Sequence, residues 1–219
     1  MKFQHLPTVS FIQRMLGTIV IRLLGWRIDG LPPDQSKLVM IGGPHTANFD
    51  VFLLVMMSWS IGIKMSFLVA TDLPPLLFRL SIMAGGIPID RNSANENTVQ
   101  QVVDYFKNVD KVCLMIAPEG RLRRMEYWRS GFYYIALGAG VPVVPGNMDY
   151  KRKLIEVTTA FLPTGDIEAD FAPYIPFYEK VTPRFPEKAG PVRVRARTEA
   201  MEKRIQDRAM RQNGDDLSA

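Results

Sequence analysis

The chain has 219 residues, enough for one domain with a real hydrophobic core. Hydrophobic content of 47% and charged content of 22% are those of an ordinary globular protein, and a lone cysteine, Cys113, excludes an intramolecular disulfide and makes a reducing setting natural. A net charge of +5 and a pI near 9.4 call for an anionic partner. Nucleic acid is set aside because the aromatic residues are not interleaved with Lys and Arg and no nucleic-acid motif occurs. No metal ligands are assigned, since the two histidines and one cysteine show neither C-x-x-C nor H-E-x-x-H spacing.

Residues 8–26 read as an amphipathic helix. Phe11, Met15, Ile19 and Leu23 recur every four residues beside Ile12, Leu16, Val20 and Leu24, while Arg14 and Arg22 take other faces. The first 28 residues hold four basic side chains and no acid. Such a stripe suits the headgroup region of an anionic bilayer, and equally a helix packed on its own domain. No small-residue cleavage site follows, so no signal peptide is read here. The uncharged run between Asp50 and Lys64 has thirteen residues, short of the ~20 a bilayer requires. A peripheral protein at an anionic membrane surface is the expectation.

An apolar strand over 38–41 is broken by Gly42, Gly43 and Pro44, and a helix follows over 51–61 with Asn48 as its cap. A second strand is expected over 65–70, a short helix over 76–83, a strand from Gly85 to Arg91 and a helix over 98–108. A third buried strand covers 112–117 and contains Cys113. Then come a helix over 128–140, a fourth strand over 141–144 and an edge strand over 154–161. Residues 165–190 give an outer helix and loops, and the last thirty residues are strongly charged. Strands alternating with helices predict a single α/β domain whose mixed, largely parallel sheet is flanked by helices, preceded by the amphipathic membrane-associating helix.

Polar groups recur just after the apolar strands: His45 and Asp50, then Asp90 and Arg91, then Glu119 and Gly120. Ligands of open α/β sheets bind outside the carboxyl ends of the strands, so one rim is expected to gather these groups. An aspartate five residues after a histidine in a strand-to-helix turn suits a general base, the carboxylate holding one ring nitrogen protonated and leaving the other to accept. Plainer readings exist: a turn histidine bonded to backbone, Asp90 and Arg91 as a surface ion pair, Glu119 as a helix-start carboxylate.

His45-Thr46-Ala47-Asn48-Phe49-Asp50, Gly86-Ile87-Pro88-Ile89-Asp90-Arg91, Pro118-Glu119-Gly120 and Val141-Pro142-Val143-Val144-Pro145 together resemble the four ordered blocks of the glycerolipid acyltransferases. This is the 1-acylglycerol-3-phosphate (lysophospholipid) acyltransferase superfamily of the H-x4-D type. The resemblance runs over residues 8–165, and Tyr127-Trp128-Arg129-Ser130-Gly131-Phe132 is typical of a compact bacterial branch. It implies an O-acyltransferase of phospholipid biosynthesis, with residues 1–30 as the amphipathic helix, 31–190 as the acyltransferase domain and 191–219 as a charged tail. His45 would be the base and Asp50 its orienting carboxylate. Asp90 and Arg91 would bind the acceptor, the arginine through its phosphate. Glu119 and Gly120 would shape the acceptor side, with Arg121 as a further anion contact. Val141, Pro142 and Pro145 would line the acyl or thioester cleft. No cofactor is implied; the donor would be acyl-CoA or acyl carrier protein, the acceptor a lysophospholipid, and the partner surface an anionic membrane. The chain departs from the family pattern at Leu122, where an arginine is usual, and at Phe49, where tryptophan is common. The alternative implied by Leu122 is a catalytically lapsed lipid-binding or regulatory relative.

Overall fold

The computed structural model describes residues 3–71, 74–83, 85–89 and 95–196. In chain order the elements are α1 (Phe11–Leu23), β1 (Arg27–Asp29), β2 (Lys37–Gly42), α2 (Asn48–Ile61), β3 (Phe67–Ala70), α3 (Pro75–Met83), β4 (Gly86–Ile89), α4 (Asn95–Asn108), β5 (Val112–Ile116), α5 (Gly131–Ala139), β6 (Val143–Asp149), β7 (Leu154–Val157), α6 (Ile167–Phe171) and α7 (Ile175–Glu179).

Five strands form one sheet in the order β1-β7-β6-β2-β5. β2 is parallel to both β5 and β6, β7 runs antiparallel to β6, and β1 lies parallel to β7. β3 and β4 form a parallel pair that is stitched to β5 at one residue, with Ser66 N donating to Cys113 O at 2.8 Å and Met115 N donating to Ser66 O at 2.8 Å. The mixed, largely parallel sheet expected from the alternation of elements is therefore what forms.

Side-chain alternation sorts the central strands into two cores, as the two-residue repeat of a strand demands. Val39 and Ile41 of β2, Val112 and Leu114 of β5, and Val143 of β6 face α4, α5, α6 and α7, meeting Val102, Phe106, Phe132, Phe171 and Tyr178. Leu38, Met40, Cys113, Met115 and Val144 face the other way, onto α1 and α2 through Ile21, Leu53, Met56 and Met57. Strands covered on both faces read as unbroken apolar runs, which is why β2 and β5 were legible. Cys113 is a core residue, fully buried, its thiol pushed up to about 12 by that burial.

α1 is shorter than the predicted 8–26. Ser10 caps it, accepting from Gln13 N while the Gln13 side chain accepts from Ser10 N, a reciprocal pair that fixes the start. The helix packs on α2 through Gly17 and Ile21. A β-carbon at Gly17 would lie 2.6 Å from Met56 O, so only glycine permits this approach. Its Phe11, Ile12, Met15, Leu16, Ile19 and Leu23 remain exposed.

Three expectations need correction. β7 is not the sheet edge, because β1 pairs outside it; Phe161 instead bridges separately to Val143. α5 begins at Gly131 rather than Trp128, because the Trp128 ring is committed to an aromatic cluster and its backbone N–H donates to Arg193 O at 2.8 Å. β6 runs on through Pro145 and Gly146 to Asp149, where the sequence suggested a stop. Proline is tolerated there because Pro145 pairs with Ile41 one residue before β2 ends, and its carbonyl still accepts from Thr158 N at 3.0 Å.

Candidate active site

β5, β2 and β6 are adjacent and parallel, so their carboxyl ends open on one rim. Glu119 follows β5, His45 follows β2, and Tyr150 follows β6. The chain turns after Gly42, and α2 begins at Asn48. The expected cap, Asn48, is already the first helical residue; the capping is done by Asp50, the third. Its Oδ2 accepts from Thr46 N at 2.9 Å and Ala47 N at 3.0 Å, placing an anion at the positive end of the helix.

The same Oδ2 lies 3.1 Å from His45 Nδ1. Asp50 is 1% exposed, while the His45 side chain keeps 18% of its surface open. With the carboxylate as acceptor, Nδ1 is the donor and Nε2 is left as the acceptor. Oδ1 accepts a very short hydrogen bond from the Tyr150 hydroxyl. Burial alone would raise the Asp50 carboxyl. The hydrogen bonds from His45, Tyr150, Ala47 and Thr46 outweigh it and hold the group below the ordinary aspartate range. The Tyr150 phenol is pushed up by burial and by the Asp50 charge, so it stays a donor.

Tyr150 is fixed from two further sides. Its ring meets Trp26 edge-on at 5.0 Å, and its N–H donates to Thr182 O at 2.9 Å. The residue was missed in the sequence because the strand was ended at Val144. Extended to Asp149, the same rim rule that found His45 and Glu119 would have found it.

Glu119 buttresses the turn from the other side. Its Oε1 accepts from His45 N at 3.0 Å, while Oε2 is buried without a partner. A β-carbon at Gly43 would stand 2.8 Å from the Trp128 ring and 3.1 Å from Glu119 Oε1, so glycine is what lets both close on the turn. Burial raises the Glu119 carboxyl from 4.5 to about 7. A raised folded-state value means stability is fully present below the unfolded pKa and is lost as pH rises through 7. Glu119→Gln removes that dependence. Its stability relative to the unsubstituted chain should improve between pH 5 and pH 8 by on the order of 2–3 kcal/mol, read by urea denaturation at both values.

The other predicted site residues divide. Gly120 takes φ +67° beside Arg129, and Arg121 is exposed on the loop that follows. Pro145 lies one residue from the rim. Val141 and Pro142 stand at the opposite, amino end of β6, where Pro142 O accepts from Val39 N. Four residues of strand put Pro142 about 13 Å from Gly146, so those two are not brought to His45. Asp90 and Arg91 lie outside the described residues. Among the described residues no group of three or more His, Cys, Asp and Glu side chains is placed to hold a metal ion.

The chain is similar to known proteins in both sequence and fold. The chain is similar to 1-acyl-sn-glycerol-3-phosphate acyltransferase of Haemophilus influenzae, 27% identical over 157 residues, 66% of this chain and 62% of that protein. It is also similar to the Escherichia coli K12 protein of the same name, 32% identical over 76 residues, 32% of this chain and 31% of that one. The aligned part thus spans less than two thirds of these relatives' length. The solved 1-acyl-sn-glycerophosphate (LPA) acyltransferase PlsC of Thermotoga maritima shares the fold, with a TM-score of 0.51 over 74% of this chain and 73% of that one at 15% identity. The family described as Acyltransferase matches residues 29–149, from the last residue of β1 to the end of β6, a span that includes His45, Asp50 and Glu119. The chain belongs to the Acyltransferase family.

Proposed function

We propose that this protein moves a fatty acyl group from an acyl thioester, acyl-CoA or acyl carrier protein, to the hydroxyl of a lysophospholipid such as 1-acylglycerol-3-phosphate. The observation that carries the reading is the His45–Asp50 pair: an imidazole bonded through Nδ1 to a buried carboxylate, with its ring partly open at the rim. The names of the relatives point to lysophosphatidate as the acceptor to test first.

In this mechanism His45 Nε2 takes the proton of the acceptor hydroxyl as its oxygen attacks the thioester carbonyl. The resulting imidazolium is stabilised by Asp50, whose charge Tyr150 and two backbone N–H groups hold in place. Collapse of the tetrahedral intermediate breaks the carbon–sulfur bond. The thiolate leaves and recovers the proton from His45, so the enzyme returns to its starting state without a covalent acyl intermediate.

The exposed apolar face of α1 supports action at a membrane surface. Phe11 and Leu23 are 80% and 81% exposed, and Arg22 sits in the last turn. Trp26, three residues beyond the helix, touches Tyr150, so a bilayer engaged by α1 would lie beside the rim. No helix among the described residues is long and apolar enough to cross a membrane.

The test is to incubate the purified chain with acyl-CoA or acyl carrier protein thioester and anionic vesicles containing 1-acylglycerol-3-phosphate. Phosphatidate and free thiol should appear in equal amounts, with the protein sedimenting with the vesicles. Thiol release without an acylated lipid would exclude acyl transfer.

A further inference from the structure

Beyond α7 the chain crosses back over the catalytic turn. Thr182 O accepts from Tyr150 N at 2.9 Å, and Phe185 N donates to Thr46 Oγ1 at 3.2 Å. Arg184 lies between these two anchors. Both anchors reach residues that flank the His45–Asp50–Tyr150 constellation, so Arg184 is held at its lip although it is far from His45 in sequence. Its guanidinium carbon stands 4.8 Å from the centre of the Phe49 ring and 5.7 Å from that of Phe185. Its positive charge also acts on the Tyr150 phenol. The side chain is exposed, and among the described residues it forms no ion pair with a carboxylate.

Lys188 places a second cation, an ammonium, 4.5 Å from the centre of the same Phe185 ring. The two carboxylates of the rim offer these cations no competition. Asp50 is saturated by four hydrogen bonds, and Glu119 is buried against the turn. A guanidinium held against an aromatic ring has given up part of its rotamer freedom already. Its planar fork matches two oxygens of a phosphate, and less ordering remains when one arrives. The loop after Glu119 carries leucine, not a cation, at position 122.

We propose that Arg184, seconded by Lys188, grips a phosphate group of a substrate bound over His45. The assignment of that phosphate rests on the acyl-transfer reading, which offers two sources: the headgroup of a phosphorylated lysolipid, or the phosphates of the thioester's carrier. The shared chemistry is a phosphate oxygen pair meeting a pre-oriented guanidinium.

Binding decides the matter independently of turnover. Calorimetric titration of the chain, Arg184→Gln and Arg184→Lys with 1-acylglycerol-3-phosphate, monoacylglycerol and coenzyme A provides the arms. Arg184→Gln should weaken the phosphorylated lysolipid about tenfold and leave monoacylglycerol unchanged, with Arg184→Lys between, since a point charge replaces the fork. A tenfold loss for coenzyme A alone would assign the grip to the donor. Equal affinities of the unsubstituted chain and Arg184→Gln for both phosphorylated probes would overturn the proposal, as would an equal loss for the uncharged lysolipid. Turnover then separates the two ideas. Arg184-dependent binding without acyl transfer defeats the enzymatic reading and leaves the phosphate site standing. Full transfer with unaltered binding by the variant does the reverse.

Discussion

Replacing His45 by glutamine should lower acyl transfer about a thousandfold, within the range that a positioned general base contributes, and barely change the melting transition. The two halves of that result come from different atoms. The turn is held by main-chain groups: His45 N to Glu119, Thr46 N and Ala47 N to Asp50, and Gly43 N to Gly146 O at 3.3 Å. None of these needs the imidazole. Glutamine keeps a donor for Asp50, so the buried carboxylate is not stranded, but its amide is no base near neutral pH. Thioester consumption should fall in parallel with lipid acylation, because the proposed mechanism passes through no acyl-enzyme. Cys113, the single thiol, is wholly buried in the core. Acyl transfer by His45→Gln within tenfold of the unsubstituted rate would remove His45 from the base role.

Much of the fold was readable because its central strands are covered on both faces. Residues 38–41 and 112–116 have no polar side chain to hide, so burial writes itself as a continuous apolar run. The rim residues His45 and Glu119 were legible for the complementary reason: they are polar groups set directly after such runs. What was lost had weaker local signals. β1 is three residues with an exposed, half-buried, exposed pattern, and only its pairing with β7 makes it a strand. β6 was cut short because Pro145 and Gly146 are turn formers by local preference. Tertiary position overrides that preference where β2 itself runs out. That shortened strand hid Tyr150, while Val141 and Pro142, assigned to the cleft by the resemblance, stand at the amino end of β6. Arg184 was beyond reach for another reason. Nothing within its own segment shows that it returns to a turn more than a hundred residues earlier.

Asp50→Asn is expected to separate catalysis from folding at this site. The buried carboxylate serves three donors on one oxygen and the Tyr150 phenol on the other. An asparagine amide can reproduce that arrangement. Its oxygen faces His45 Nδ1, Thr46 N and Ala47 N, while its NH2 faces Tyr150, whose hydroxyl turns to accept. The neutral bonds are weaker and the favourable charge at the start of α2 is gone, so stability should fall by about 1–2 kcal/mol. Asp50→Ala instead leaves buried donors unpaired and should cost about 3–5 kcal/mol. Catalysis has no such substitute. The imidazolium that forms when His45 takes a proton would meet a neutral amide, and acyl transfer should drop about a hundredfold or more even though the histidine is correctly placed. The acid limb of stability gives an independent check. The Asp50 carboxyl is held below its ordinary 3.8 by its hydrogen bonds, so its contribution is present above that value and is lost as pH falls through the lower folded-state value. Below pH 3.8 the unsubstituted chain should therefore lose its advantage over Asp50→Asn, and acid unfolding of the two should converge. A variant that folds, keeps this convergence and still transfers acyl groups at the full rate would show that the carboxylate caps the helix and does nothing more.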